Sequence, residues 1–177
     1  TPSPPTPLPR KNGGEGSHIY VACSKSRCYG LARLGKKTMQ QTFQFQKRVE
    51  FADTDMAGIV HFSCFFRYME ETEYAFLRSV GLCNVIYDSK GTMGMPRREA
   101  KCTYHRPARF EDMLSIDLLV ASNDGLRMTH EFRIHCDEKL VADGSLQVVC
   151  CRFPEDRLPY AIPFPAVVLQ QIPLTDK

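Results

Sequence analysis

Two carboxylates stand close together in this sequence, shortly before a segment with the pattern of a helix. Asp53 and Asp55 follow a strand-like run, and the helical pattern begins near Ser63. The first N–H groups of a helix lack intrahelical partners, so they attract an anion or a carbonyl oxygen that is becoming one. A carboxylate that faces such amides can attack a carbonyl carbon or activate water while the amides hold the oxyanion. The segment therefore combines the groups that cleavage of a thioester requires.

These side chains also have structural interpretations. An Asp after a strand commonly forms an Asx turn, and we expect this role for Asp53, whose carboxylate would bond loop amides. We expect Asp55 to be catalytic, because Gly58, the helix and a second motif described below accompany it. His61 is expected to be packed or bonded to water rather than a catalytic base, although it is close enough in sequence to modulate Asp55.

Three residues on the predicted helix carry groups that catalysis can also use. Cys64 lies near His61, but no orienting acid accompanies the two, so a buried thiol is the simpler interpretation. Glu70 and Glu73 are three positions apart. We expect Glu70 to be a structural or interface acid, and Glu73 to be solvated or paired.

The elements that must position these residues follow from the spacing of apolar side chains. Residues on one parity, most of them apolar, alternate with polar residues and predict a half-buried strand: Phe43, Phe45, Lys47, Val49 and Phe51. A mainly apolar stripe at helical spacing predicts a helix from about Ser63 to Val80, which Gly81 would end: Phe65, Met69, Thr72, Phe76 and Val80.

The second half of the sequence has the pattern of strands. Beyond a loop with Gly91, Gly94 and Pro96, strands are predicted over residues 99–105, 114–121, 127–136 and 141–152. One strand, one long helix and then a run of antiparallel strands make an α+β order, in which the helix packs across one sheet face.

Charge and composition divide the chain in two. Residues 1–40 begin with a Pro- and Gly-rich stretch, and we expect a disordered or poorly ordered leader followed by one domain over residues 41–177. The leader has seven basic residues and one acidic residue, whereas the domain has 16 basic and 19 acidic residues. Because the basic excess lies on the leader, we expect no nucleic-acid partner.

Apolar runs and cysteines indicate where the protein acts. No apolar run approaches the roughly 20 residues that span a bilayer, so we expect no membrane partner. The eight cysteines follow no visible secretory signal, which favours reduced thiols in a cytoplasmic protein. No pair has C-x-x-C spacing, so no metal site is expected. Five thiols fall in predicted elements and are expected to be buried: Cys64, Cys102, Cys136, Cys150 and Cys151.

Two motifs resemble the 4-hydroxybenzoyl-CoA thioesterase family of hot dog-fold enzymes. The first is similar to the family's run of strand end, Asp-x-Asp, Gly and helix, with matches at Phe51, Asp53, Asp55, Gly58, Ile59, Val60, Glu70, Leu77, Arg78 and Gly81. The second, residues 104–112, is similar to the family's corner between two strands. The resemblance covers about residues 42–155. It implies a hot dog fold, in which an antiparallel sheet wraps around one long central helix.

The resemblance also implies an activity and its residues. It implies an acyl-CoA thioesterase that converts an aromatic or a short- or medium-chain acyl-CoA to the free acid and CoA. The second Asp of the family motif is catalytic, which assigns Asp55 as nucleophile or general base. The backbone amides of Phe62 and Ser63 would polarise the thioester carbonyl. Many members have Tyr-His or Trp-Tyr where this chain has His61-Phe62, so no side-chain role for Phe62 follows. CoA is part of the substrate, and no cofactor is expected.

Substrate contacts are expected from both motifs. We expect Gly58, His61 and Phe65 to contact the substrate, and members of a basic cluster to meet the CoA phosphates: Arg97, Arg98, Lys101, Arg106 and Arg109. An apolar, partly aromatic acyl pocket is indicated by Phe62, Phe65, Phe66, Met93, Met95 and Tyr104.

A homodimer or homotetramer is expected as well. One curved sheet around one helix leaves a strand edge and an apolar sheet face to cover. The resemblance implies that the pocket forms between subunits, with Asp55 of one chain near the strand that starts at Glu99 of the other.

Other functions fit the sequence less well. A non-catalytic acyl-CoA or acyl-carrier binding module can use the same fold, but it does not need a carboxylate at Asp55. A dehydratase on this fold would need a His base, for which the chain offers only His61. A phosphatase of the haloacid dehalogenase type also has Asp-x-Asp after a strand. It requires a buried parallel strand and repeated βα units, which this sequence does not predict.

Overall fold

The part of the chain that the structure describes forms two antiparallel sheets, one long helix and one short helix. The computed structural model describes residues 42–175, so the predicted leader over residues 1–40 lies outside the described residues. The strands of the larger sheet are β1 (Phe43–Arg48), β4 (Arg97–Tyr104), β5 (Met113–Asn123), β6 (Arg127–Cys136) and β7 (Lys139–Val149). Those of the smaller sheet are β2 (Val85–Asp88), β3 (Gly91–Gly94), β8 (Cys151–Phe153) and β9 (Tyr160–Ala161). The helices are α1 (Cys64–Ser79) and α2 (Ala166–Gln171), and a 3-10 turn covers Phe51–Asp53.

The larger sheet has five strands in the order β1-β5-β6-β7-β4, with every neighbouring pair antiparallel. The smaller sheet has the order β2-β3-β8-β9. Helix α1 packs on one face of the larger sheet, and this arrangement confirms the α+β hot dog fold.

Close packing between α1 and the sheet depends on a glycine in β7. A Cβ at Gly144 would lie 2.4 Å from the Lys101 carbonyl oxygen and 2.9 Å from the Met69 sulfur. Such distances are too short for any side chain, so Gly144 allows α1 to approach β7 and β4. Met69 is consequently fully buried at the centre of the main core.

The predicted end of the long helix is confirmed in detail. Gly81 has a φ of +75°, and its N–H donates to the Arg78 carbonyl, while the Leu82 N–H donates to the Leu77 carbonyl. These two bonds form a Schellman motif, which requires a left-handed residue after the helix. Leu82 is thereby turned into a second core cluster at this end of α1.

The structure differs from the predicted elements in four places. The expected loop around Gly91 and Gly94 is the β2–β3 hairpin, and the last predicted strand is divided at Cys150 into β7 and β8. Phe51, which was predicted inside the first strand, lies in the 3-10 turn with 76 % of its surface exposed. Helix α2 was not predicted; it covers the second core cluster with Val168.

The face of the larger sheet opposite α1 is polar, contrary to the expected apolar face. Thr103, Glu131, Arg133 and Asp143 lie on it, whereas their strand neighbours Phe132 and Ile134 are buried against the helix. The expected strand edge does exist at β4, whose side chains are mostly exposed. Among the described residues, no helix combines the length and apolar character that crossing a membrane would need.

Candidate active site

Asp55 lies in a short hairpin loop between the 3-10 turn and α1. Thr54 pairs with Val60 in an antiparallel bridge, and the Asp55 N–H donates to the Ile59 carbonyl at 3.0 Å. The Gly58 N–H returns to the Asp55 carbonyl at 2.9 Å, which closes a turn. Gly58 has a φ of +70°, a conformation that favours glycine. The loop therefore holds the Asp55 backbone firmly.

The Asp55 side chain is exposed and retains one unoccupied oxygen. Its Oδ1 accepts the Ala57 N–H at 2.8 Å, which is an Asx turn, and its Oδ2 accepts no hydrogen bond from another described residue. The Asx turn was predicted at Asp53 instead. Asp55 thus has both a fixed orientation and a carboxylate oxygen available for chemistry.

The Asp53 carboxylate is buried, with 5 % of the residue exposed, and accepts three hydrogen bonds. The Glu50 N–H and the Tyr68 hydroxyl donate to Oδ2 at 3.0 and 2.8 Å, and the Arg67 guanidinium donates to Oδ1. Burial opposes ionisation of Asp53, but these donors and the positive charges of Arg67 and Lys47 outweigh it and hold the pKa below its ordinary value of 3.8. Asp53 bonds a loop amide as expected, and two side chains of α1 as well.

Arg67 and Tyr68 were not predicted to contact Asp53. They follow Asp53 by 14 and 15 positions, and no spacing rule relates a loop carboxylate to residues so far along a helix. A buried carboxylate needs donors, but the sequence did not indicate that Asp53 would be buried.

The two backbone amides expected to polarise a carbonyl differ in availability. The Phe62 N–H donates to no other described group, whereas the Ser63 N–H points to Nδ1 of His61 at 3.4 Å. The hydroxyl of Tyr104 donates to the Phe62 carbonyl at 3.1 Å and fixes the following peptide group. Of the two, the amide of Phe62 is the one available to a ligand.

His61 is half-buried and bonded to its neighbours, in agreement with a packed role. Its Nδ1 lies 2.8 Å from the Ser63 hydroxyl, and its ring centroid lies 4.4 Å from that of Phe62. The His61 N–H donates to the Asp53 carbonyl. These contacts tie the segment before α1 to the turn that precedes Asp55.

The two sequence motifs lie side by side. The Val60 N–H donates to the Ala108 carbonyl at 2.8 Å, and Nη1 of Arg109 lies 3.5 Å from the Gly58 carbonyl oxygen. The corner between β4 and β5 therefore forms one wall next to the Asp55 loop.

The residues expected to form the acyl pocket are only partly brought together. Phe65 is buried and packs edge-on against Tyr104, with ring centroids 5.3 Å apart, and Phe62 is exposed nearby. Phe66 packs against the main core, while Met93 and Met95 belong to the second core cluster. Phe62, Phe65 and Tyr104 are therefore the members that lie at the Asp55 site.

The basic cluster is divided by its contacts. The Arg97 guanidinium pairs with the buried Glu73 and with Glu70, and Nζ of Lys101 lies 3.0 Å from Glu99. Arg98 donates to the side chain of Gln147. Arg106 is exposed, and Arg109 contacts the Asp55 loop through Gly58. Arg109 is thus the basic residue of the cluster that touches this loop.

Glu70 and Glu73 are held away from the Asp55 site. Glu73 has 1 % of its surface exposed and is paired rather than solvated, and Glu70 accepts the Tyr74 hydroxyl at 2.7 Å. A cavity of about 700 Å³ lies on the polar face of the sheet, where Lys101, Arg133 and Asp143 line it, and Asp55 is not among its lining residues.

Known proteins match this chain in sequence and in fold. The model of the thioesterase-like superfamily matches residues 49–172. A 1,4-dihydroxy-2-naphthoyl-CoA hydrolase of Synechocystis sp. is 30 % identical over 118 residues, which are 64 % of this chain and 84 % of that protein. The acyl-CoA thioester hydrolase YbgC of Escherichia coli is 26 % identical over 121 residues, or 68 % of this chain and 90 % of that protein.

A solved structure extends the match to the fold. The 4-hydroxybenzoyl-CoA thioesterase of Pseudomonas sp. superposes with a TM-score of 0.64 over 73 % of this chain and 98 % of that chain, at 19 % sequence identity. At that identity the likeness concerns the fold, whereas the superfamily match includes the Asp55 loop, α1 and the strands that follow. The chain therefore belongs to the thioesterase-like superfamily.

Proposed function

We propose that Asp55 is the catalytic carboxylate with which this thioesterase hydrolyses acyl-CoA esters. The observation that carries the proposal is the pair of unoccupied groups in one short segment, namely Oδ2 of Asp55 and the N–H of Phe62. The hairpin between them is closed by the Thr54–Val60 bridge. The Asp55 carboxylate can act on the carbonyl carbon while the Phe62 N–H stabilises the oxyanion.

The reaction has two forms that this pair of groups supports. In one, Asp55 attacks the thioester carbonyl, the C–S bond breaks, CoA leaves as the thiolate and water then cleaves the acyl anhydride. In the other, Asp55 takes a proton from water as that water attacks the same carbon; the tetrahedral intermediate then collapses, the C–S bond breaks and CoA leaves as the thiolate. In both, the Phe62 amide holds the developing oxyanion, and neither form uses a cofactor beyond the CoA of the substrate.

Arg109 and Arg106 are the residues we assign to the CoA phosphates. Arg109 already contacts the Asp55 loop at Gly58, and Arg106 lies on the same corner with an exposed side chain. Arginine binds phosphate oxygens through paired N–H groups. We also assign Arg98 to the CoA phosphates. Arg97 is left out, because its guanidinium is already paired with Glu73.

An aromatic acyl group fits the site best. The exposed rings of Phe62 and Tyr104 lie next to the Phe62 peptide, with the buried Phe65 packed against Tyr104, and exposed rings favour stacked or edge-on contact with an aryl group. The 1,4-dihydroxy-2-naphthoyl-CoA hydrolase among the relatives has an aromatic acyl group in its name.

A hydrolysis panel tests this assignment. We expect aryl-CoA esters to give a higher kcat/KM than acetyl-, butyryl- or octanoyl-CoA, because the rings match the aryl surface. Release of CoA thiol is followed with a thiol-reactive dye. Higher kcat/KM for aliphatic esters would contradict the aromatic assignment. Binding of CoA esters without hydrolysis of any panel member would support a binding module instead.

A homodimer joined through β4 is the assembly that we propose. No strand of the described residues pairs with the outer edge of β4. An open edge can be extended by an antiparallel strand from another chain. Tyr104, the last residue of β4, bonds the Phe62 carbonyl, so a partner strand on this edge would run beside the proposed active site.

The charges on β4 favour a second copy in one particular register. Glu99 and Lys101 flank Ala100, and their side chains form an ion pair at 3.0 Å on one face. In an antiparallel two-fold pair centred on Ala100, each Glu99 lies opposite the partner's Lys101. Registers centred on Glu99 or Lys101 place like charges directly opposite each other, which is destabilising.

A cytoplasmic location agrees with the state of the cysteines. Cys64, Cys102, Cys136, Cys150 and Cys151 have free thiols in the structure. Burial, and to a smaller extent the charge of Cys151, raises the pKa of the Cys150 thiol to about 11. Cys64, Cys150 and Cys151 are buried as predicted and are inert small hydrophobes, whereas Cys102 and Cys136 are only half-buried, contrary to the prediction.

A further inference from the structure

We infer that Asp53, held by Arg67 and Tyr68, is the positioning residue that keeps the Asp55 carboxylate and the Phe62 amide in register. This inference rests on the proposed function of Asp55. Asp53 touches neither reacting group, and it acts through the backbone on both sides of the Asp55 loop.

The Asp53 carboxylate joins the start of the loop to the helix. Oδ2 accepts the Glu50 N–H at the end of the first strand and the Tyr68 hydroxyl from α1, while Oδ1 pairs with the Arg67 guanidinium. Glu50 and the two α1 residues are thereby connected through a single side chain. Any shift of α1 relative to the strand must stretch these bonds.

The backbone carbonyl of Asp53 joins the end of the Asp55 loop and the start of α1 to the same residue. It accepts the His61 N–H at 2.8 Å and the Cys64 thiol at 3.4 Å. His61 immediately precedes Phe62, whose N–H is the proposed oxyanion donor. One residue therefore fixes the entry to the Asp55 loop, the exit from it and the first turn of the helix.

The burial of Asp53 explains why Arg67 is needed. A carboxylate in an apolar environment is unfavourable unless charges and hydrogen bonds compensate it. The Arg67 side chain is itself 59 % exposed, so it can neutralise Asp53 while its own hydration is largely kept. Arg67 also donates to the Cys64 sulfur at 3.3 Å, which adds a second contact at the base of α1.

Removing Arg67 should therefore affect turnover more than binding. Misplacement of a reacting group by about 1 Å can cost up to about 100-fold in rate. We expect Arg67→Ala to lower kcat by about 10-fold or more and to leave KM within about 2-fold. Arg78→Ala, on an exposed arginine of the last turn of α1, should leave both constants unchanged.

Chemical rescue distinguishes positioning from general destabilisation. Because Arg67 is exposed, millimolar guanidinium can reach the space that Arg67→Ala creates, and we expect it to restore part of the lost kcat. It should not stimulate Arg78→Ala or the unmodified enzyme. Tyr68→Phe, which removes one hydroxyl from the network, should also lower kcat, but by a smaller factor. This variant replaces Arg67→Ala in the test if Arg67→Ala does not fold.

Combination with Asp55→Asn completes the test. If Arg67 acts through Asp55, Arg67→Ala lowers kcat by a smaller factor in the Asp55→Asn background than in the unmodified enzyme. The inference would be overturned if Arg67→Ala lowered kcat by the same factor in both backgrounds. Unchanged kcat in both Arg67→Ala and Tyr68→Phe would overturn it as well. Normal turnover by Asp55→Asn alone would instead overturn the proposed function, so the two failures are distinguishable.

Discussion

The two aspartates of the Asp-x-Asp motif have opposite environments, although they are only two residues apart. Asp53 is buried and accepts donors from α1, whereas Asp55 is exposed and keeps one oxygen unoccupied. A buried, fully bonded carboxylate is a poor nucleophile or base, since its lone pairs are already used. The structure thus separates a buried, bonded aspartate from an exposed one, and this difference supports the proposal that Asp55 is the reactive residue.

The role of Asp53 predicts a particular dependence of stability on pH. Because its pKa is lower in the folded state, the unfolded chain takes up the proton first as pH falls. The ionised Asp53 carboxylate therefore adds to the free energy of unfolding above pH 3.8. This stabilisation is lost as the pH falls through the lower pKa of the folded state. We expect Asp53→Asn to cost about 2 kcal/mol at neutral pH and less at about pH 3, where the unfolded chain is already largely protonated at this position.

Thermal unfolding at both pH values measures this difference. Asp117→Asn is the control, because its carboxylate lies on the outer sheet face and accepts a bond from Gln44. A stability difference between the unmodified protein and Asp53→Asn that stays constant down to about pH 3 would show that the Asp53 charge does not stabilise the fold.

At the scale of elements, α1 is fixed to β4 by the ion pair of the buried Glu73, beside which the buried ring of His130 in β6 packs. Glu73 accepts Arg97 of β4 through both carboxylate oxygens, and Nδ1 of His130 in β6 lies 3.0 Å from Glu73 Oε1. Neither ring nitrogen of His130 makes a hydrogen bond to a described residue. The buried negative charge of Glu73 is therefore compensated mainly by Arg97.

Removing Arg97 should be strongly destabilising. Loss of one partner of a buried ion pair leaves an uncompensated charge and costs about 3 kcal/mol or more. We expect this cost for Arg97→Met in urea unfolding, and much less for Arg98→Met, whose arginine is exposed and bonds Gln147. A cost below about 1 kcal/mol for Arg97→Met would contradict the structural role of this cluster.

Some elements could be predicted from the sequence because their signals are local. The stripe from Phe65 to Val80 and the stop at Gly81 depend on residues within a few positions, and both were confirmed. The β2–β3 hairpin was missed because Gly91 and Gly94 indicated a loop, whereas pairing of β3 with β8, about 60 positions away, holds both glycines in a strand. The Asp53 network was missed for the same reason, since burial and long-range donors decide it.

At the scale of the whole molecule, the open edge of β4 predicts the assembly. A register centred on Ala100 pairs Glu99 with the partner's Lys101, so Glu99→Lys or Lys101→Glu alone should weaken the dimer. The combined variant Glu99→Lys with Lys101→Glu should restore it, because the opposite charges still meet. Sedimentation velocity over a range of protein concentrations measures the change.

Other outcomes have definite meanings for the dimer. If the combined variant remains as weak as the single ones, the register centred on Ala100 is wrong. If all variants sediment as the unmodified protein does, β4 is not the interface.

The turnover of Asp55→Asn is the most direct measurement of the central claim. The substitution keeps the size of the side chain and its bond to the Ala57 N–H, but it removes the charge and the nucleophilic oxygen. With the best acyl-CoA of the panel, we expect kcat to fall by roughly 100-fold or more, while KM changes little and Asp117→Asn remains fully active. Near-normal turnover by Asp55→Asn would show that this carboxylate does not carry out the hydrolysis.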